Sequence, residues 1–183
     1  MRTLIVTAGA LKAQLAVAAA ALLIAWALKQ HYSDAGADDL LWMLTPTAQL
    51  AGAMTGSPFT LQPGEGYLSR ERLFLIEKSC AGVNFMVAAF GMLVFTLFHR
   101  ARTPVSAGRV LAVSLIAGYT AAVVVNAVRI AMAMWLAAHP VALSISSAAV
   151  HRLEGILVYF CGLMLLYEAV QRLDRRVLQW SGR

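Results

Sequence analysis

The chain reads as an all-α protein, a polytopic membrane helical bundle of about four to six transmembrane helices. Three observations predict this. Of its 183 residues, 60% are hydrophobic and 13% charged, against about 45–50% and about 25% in soluble domains. Apolar runs long enough to cross a hydrocarbon core of ~30 Å recur along the chain. The charges gather between those runs. The net charge of +6 therefore reads as a device for orientation in a membrane, and no nucleic-acid partner is expected. The length suits a single integral-membrane domain, residues 1–183, with no sizeable soluble domain.

The first run covers residues 4–28, interrupted by Lys12 and Gln14 and closed by Lys29. Ala35-Gly36-Ala37 resembles the cleavage site of a secretory leader, but it lies far past the apolar core, so a retained first helix is expected. Residues 29–79 form the long polar stretch. Inside it, residues 40–54 are apolar but contain Pro46. Such a piece is too short for a span, and an interfacial or re-entrant helix capped by Asp38 or Asp39 is expected. Ser57-Pro58 and Pro63-Gly64-Glu65-Gly66 mark turns, and Leu73 to Ile76 reads as briefly extended.

The second span is expected at residues 80–98, and a basic loop follows at 99–109. The third run is apolar from Val110 to Ala138, broken by Asn126 and Arg129. His139-Pro140 ends it. Ser144, Ser146 and Ser147 are N-cap candidates for the last helix. That helix carries His151, Arg152 and Glu154, and closes on the Glu168/Arg172 pair. Loop 99–109 has three Arg and no acid, and the tail, Gln171 to Arg183, has four Arg against Asp174; the 29–79 stretch has four basic and six acidic residues. The positive-inside rule puts the loop and the tail in the cytoplasm and 29–79 outside. Four spans, roughly 4–28, 80–98, 110–133 and 152–171, satisfy this with both termini inside.

That topology brings three reactive residue types to one depth. Cys80 opens the second span at its outer end, where unsatisfied N–H groups and the helix dipole favour negative charge on sulfur. Arg129 lies nineteen residues after Val110, ~28 Å along a helix, and so nears the same face. His151 opens the last span there. Cys161 lies ten residues further on, ~15 Å deeper, and reads as packing rather than as a disulfide partner of Cys80. Gly82 lets another backbone or a substrate approach. Asn84 and Asn126 read as interhelical hydrogen-bonding residues or as groups orienting Arg129 or the substrate backbone. Each residue also has a plainer reading: Cys80 as a buried small hydrophobe, Arg129 as a snorkelling cation, His151 as a helix-start surface residue. Glu77 and Glu154 read as solvated charges. The four His show no tight ligand spacing with Cys or acids, so no metal and no cofactor is expected.

Cys80-Ala81-Gly82-Val83-Asn84-Phe85, then Asn126-Ala127-Val128-Arg129-Ile130, then His151 with Glu154 and Gly155 resemble the three signatures of the exosortase/archaeosortase family. The Lys-Ser-Cys-Ala-Gly-Val-Asn-Phe block is most similar to the exosortase K group, and the resemblance covers roughly residues 40–170. It implies a membrane-embedded cysteine transpeptidase analogous to sortase. Such an enzyme cleaves a C-terminal sorting signal of exported proteins, of the PEP-CTERM type in many members. It forms a Cys thioester and passes the protein to a cell-surface acceptor, a lipid or a glycan. It implies an inner-membrane, multi-pass location with the active site facing outside the cytoplasm. Cys80 would be the nucleophile, Arg129 the oxyanion or carbonyl stabiliser and His151 the general acid/base, with Gly82, Asn84 and Asn126 binding or orienting substrate. The competing expectation is a small transporter or channel subunit with Arg129 lining an anion path.

Overall fold

The computed structural model describes residues 2–139 and 147–181, with side chains placed for 8–139, 149 and 152–175. Five helices follow one another: α1 (Arg2–Asp34), α2 (Leu41–Thr55), α3 (Val83–Leu97), α4 (Pro104–Ala138) and α5 (Ser147–Ser181). Among the described residues, four segments are long and apolar enough to cross a membrane: Ala8–Asp34, Lys78–Arg100, Pro104–Ala138 and Arg152–Arg175. α2 is not among them, in keeping with its fifteen residues.

The spans pack through small residues where backbones approach. A Cβ on Gly118 of α4 would stand 3.2 Å from the Phe90 amide nitrogen of α3. One on Gly162 of α5 would stand 2.8 Å from both methyls of Val125. Small residues at crossings are what membrane helices use when lipid is as apolar as their side chains. The outward faces of α1 and α5 carry Leu15, Leu22, Leu23, Trp26, Ile156, Phe160 and Leu165, all exposed. In a bilayer this is the lipid face rather than a defect.

α4 starts earlier than expected. Thr103 is its N-cap, its hydroxyl accepting from the Ser106 amide while the Ser106 hydroxyl accepts from the Thr103 amide. Pro104 occupies the first turn, where its missing N–H costs nothing. Residues 104–109 are therefore helical, which corrects the reading of 99–109 as one loop and puts Arg109 on α4.

The 29–79 stretch folds as a cap of mixed structure. Asp38 and Asp39 do not cap α2; they lie in the 3-10 turn Asp38–Leu40 that precedes it. Asp39 instead accepts from the Gly36 amide at 2.9 Å, and Asp38 from the Gly64 amide at 3.0 Å, which fastens a turn 26 residues away. α2 contains Pro46, which cannot donate to the carbonyl of Trp42 four residues earlier. The Tyr119 hydroxyl of α4 donates to that carbonyl at 2.9 Å, and its ring stacks on Trp42. The helix thus survives its proline by borrowing a donor from a neighbour. Its buried face, Met43, Leu44, Ala48 and Ala51, joins Ile76, Ile130 and Met134 in one core.

Residues 60–76 hold a three-stranded antiparallel sheet that the sequence reading did not foresee beyond Leu73–Ile76. Its strands are β1 (Thr60–Gln62), β2 (Gly66–Ser69) and β3 (Phe74–Ile76), in the order β1-β2-β3. Gln62 pairs with Gly66 across the expected Pro63–Glu65 turn, and Tyr67 with Ile76. Tyr67 shares a 2.9 Å hydrogen bond with Thr45, joining the sheet to α2. β3 then delivers the chain directly to Cys80.

Candidate active site

Asn126 is fully buried on α4, and in an apolar bundle every polar atom of its amide needs a partner. All three found are informative. Its Nδ2 donates to the backbone carbonyl of Cys80. Its Oδ1 accepts from Arg129 Nε at 3.2 Å and from the Tyr159 hydroxyl at 2.9 Å. A carbonyl can only accept and a guanidinium can only donate, so this orientation of the amide is the one the chemistry allows. One side chain therefore ties the Cys80 turn, α4 and α5 together.

Cys80 does not sit in the first turn of α3, as expected, but in the 3-10 turn Lys78–Cys80 ahead of it. That turn is held by the Cys80 and Ala81 amides, which donate to Glu77 and Lys78 carbonyls at 2.8 and 3.0 Å. The reason for the offset is Gly82, which caps α3 at φ +74°, a left-handed conformation that delays the helix to Val83. Gly82 is also a close-approach residue. A Cβ there would stand 3.0 Å from Asn126 Cγ. Cys80 is half-buried and its thiol is free. The Ser79 hydroxyl lies 3.8 Å from Cys80 Sγ and donates to Glu77 at 2.7 Å. Glu77, read from sequence as a solvated charge, is thus joined to the cysteine through Ser79.

Arg129 is half-buried and engaged within the bundle. Its guanidinium carbon lies 5.3 Å from the centre of the Tyr159 ring, a cation–π geometry. It runs past Gly155, where a Cβ would be 3.7 Å from Arg129 Cδ. Glu154 is buried at 6% exposure and lies within electrostatic reach of Arg129. Tyr159 is within such reach of Arg129, Cys80, Glu154 and Tyr32. Its ring also packs 5.1 Å from that of Phe85 on α3. Tyr159 is the site residue that sequence reasoning missed. The available signal was its spacing, one helical turn after Gly155 and two after His151.

Asn84 makes an interhelical hydrogen bond, as one of its two readings required, but not in this node. It accepts from Lys29 of α1 at 2.6 Å. The ammonium groups of Lys29 and Lys78 lie 5.7 and 5.4 Å from the centre of the Tyr32 ring, and Lys78 donates to the Ser33 carbonyl at 3.0 Å. These contacts fasten the end of α1 beside the Cys80 turn. The backbone of α5 carries position 151 one turn before Gly155; the expected convergence of the His151 side chain on Cys80 lies outside the described residues. The N-cap candidates Ser144 and Ser146 fall there too, while Ser147 is the first residue of α5 itself. Cys161 is exposed on α5, so it faces the surroundings rather than packing in the bundle as expected. Among the described residues, no group of three or more His, Cys, Asp or Glu could hold a metal ion.

The Asn126 amide joins the backbone of Cys80, whose thiol is free, to a permanently charged guanidinium, at the boundary between an apolar bundle and a polar cap. Such a pair can attack a carbonyl and stabilise the charge that develops on its oxygen. No family model, curated protein or solved structure matches the chain.

Proposed function

We propose that the protein is a membrane-embedded cysteine transpeptidase acting on the C-terminal sorting signals of exported proteins. The observation that carries this reading is the Asn126 amide, which links the backbone of Cys80 to the guanidinium of Arg129. A buried amide linking these two residues is expensive to maintain in a membrane bundle unless their relative position matters.

In this reading the Cys80 thiolate attacks the scissile amide carbon, forming the C–S bond. Charge moves to the carbonyl oxygen, where Arg129, held by Tyr159 and Asn126, stabilises it. Arg suits this role because it does not lose its proton. His151 gives a proton to the departing amine as the C–N bond breaks. The thioester is then attacked by a hydroxyl or amine of a lipid or glycan acceptor, whose proton returns to His151 and whose new bond releases the Cys80 thiolate. Ser79 and Glu77 offer the thiol a route for its proton before attack. The cap and the site face outside the cytoplasm, and the protein resides in the inner membrane.

The test is chemical trapping. A secreted reporter ending in a PEP-CTERM-type signal is co-produced with the protein, quenched in acid and mapped by mass spectrometry. A hydroxylamine-sensitive reporter fragment on the Cys80 peptide is expected. Cleavage of the reporter that persists undiminished in the Cys80→Ala variant would refute the proposal.

A further inference from the structure

A groove of 680 Å³ opens at the end of the bundle away from Cys80, between α3, the start of α4 and the last turns of α5. Its size falls within the roughly 300–1,000 Å³ of ligand pockets. Its wall is apolar, built from Leu93, Val110, Val113 and Leu173, and its mouth carries Arg100, Arg102 and Arg109. Arg109 and Arg129 are twenty residues apart on one helix, ~30 Å, so this mouth and the Cys80 site lie about one hydrocarbon thickness apart. The wall runs from Arg109 to Ala117 along α4, ~12 Å, close to the ~15 Å depth of a single leaflet.

The charges at the mouth are unequally used. Asp174 is the carboxylate of the groove, and its charge is taken up. Arg100 Nε pairs with one oxygen, Arg100 Nη2 donates to the Asp174 backbone carbonyl at 3.2 Å, and His99 Nε2 lies 3.3 Å from the other oxygen. Arg102 donates through Nε to the His99 carbonyl at 3.3 Å. Among the described residues neither Arg102 nor Arg109 has a carboxylate partner. The start of α4 adds the partial positive charge of its helix dipole to the same mouth. An apolar slot one leaflet deep, opening beneath two uncompensated guanidiniums, has the charge complement of a lipid with an anionic head.

We propose that this groove binds an anionic phospholipid, with one acyl chain against Val110 and Val113 and the phosphate between Arg102 and Arg109. A zwitterionic lipid would fill the slot equally but leave the net positive charge of the mouth unmatched. The site shares no residue with the Cys80 node, so it stands or falls separately from the proposed transpeptidase.

Native mass spectrometry of the full-length protein tests this, using dioleoyl phosphatidylglycerol against dioleoyl phosphatidylcholine. Phosphatidylglycerol is expected to be retained about tenfold better. R102Q combined with R109Q should abolish that preference. R70Q combined with R72Q, the same charge change at the other end, should leave it intact. Val113→Trp keeps both guanidiniums but fills the slot, and should lower retention of phosphatidylglycerol. Glycerol 3-phosphate, a head without chains, should not displace the lipid. Equal retention of the two lipids by the wild-type protein would overturn the proposal, as would equal loss in both double variants, unchanged retention in Val113→Trp, or displacement by glycerol 3-phosphate.

Discussion

The Asn126→Asp variant separates the bonds of the central amide. Aspartate has nearly the same shape, and its carboxylate can still accept from Arg129 and Tyr159. What it loses is the donor to the Cys80 carbonyl. Two acceptors then face each other in a site with no exposure at position 126. Leaving a buried carbonyl unsatisfied costs about 1–3 kcal/mol, while the new charge beside Arg129 offsets part of the burial cost elsewhere. Global stability should therefore change little, while the Cys80 turn is released. The amides of Cys80 and Ala81, which donate within that turn, should exchange with solvent about 5- to 150-fold faster. Substrate processing should fall with them. Hydrogen exchange read by mass spectrometry on the peptide spanning Cys80 measures this. Wild-type protection of those amides in the Asp variant would show that Asn126 does not hold the turn, and the reasoning would fail.

Further outcomes follow from neighbouring residues. Gly82→Ala forces a left-handed conformation costing about 1–2 kcal/mol and drives a methyl toward Asn126, so both the thermal midpoint and processing should drop. Tyr159→Phe keeps the ring beneath Arg129 but loses the bond to Asn126, and should cost about 1 kcal/mol of stability in denaturation assays; Tyr159→Ala also removes the cation–π contact and should cost more. Tyr119→Phe leaves the Trp42 carbonyl without its substitute donor, and should speed amide exchange at the start of α2 about fivefold with no direct effect on Cys80. Cys161→Ala should retain most processing, because that thiol is exposed on the outer side of α5, whereas Cys80→Ser should lose nearly all of it, since a hydroxyl stays protonated where a thiol ionises.

The spans were legible because each presents about twenty apolar residues, a signal that needs no tertiary information. The neighbourhood of Cys80 and Arg129 was legible for a related reason: charge bias gave both residues one depth, and depth is most of position in a bundle. The sheet was not legible. Its strands are three or four residues long, too short for an alternating pattern to emerge, and tertiary bonds such as Asp38 to Gly64 hold it in place. Tyr159 was hidden by its setting, since an aromatic in an apolar run reads as lipid-facing until a polar partner is known. The start of α4 was not legible because Arg100, Arg102 and Arg109 give 99–109 the charge of a cytoplasmic loop, while Thr103-Pro104 carries the helix signal.

We propose above that Cys80 cleaves exported proteins at their C-terminal signals. C-terminal peptide mass spectrometry of the exported proteome, from source cells producing the wild-type protein or Cys80→Ala, tests it most directly, whatever the sequence of the signal. The account predicts a set of exported proteins that lose a terminal apolar helix and basic tail in the wild type and keep both in the variant. Identical C termini in the two strains would contradict it.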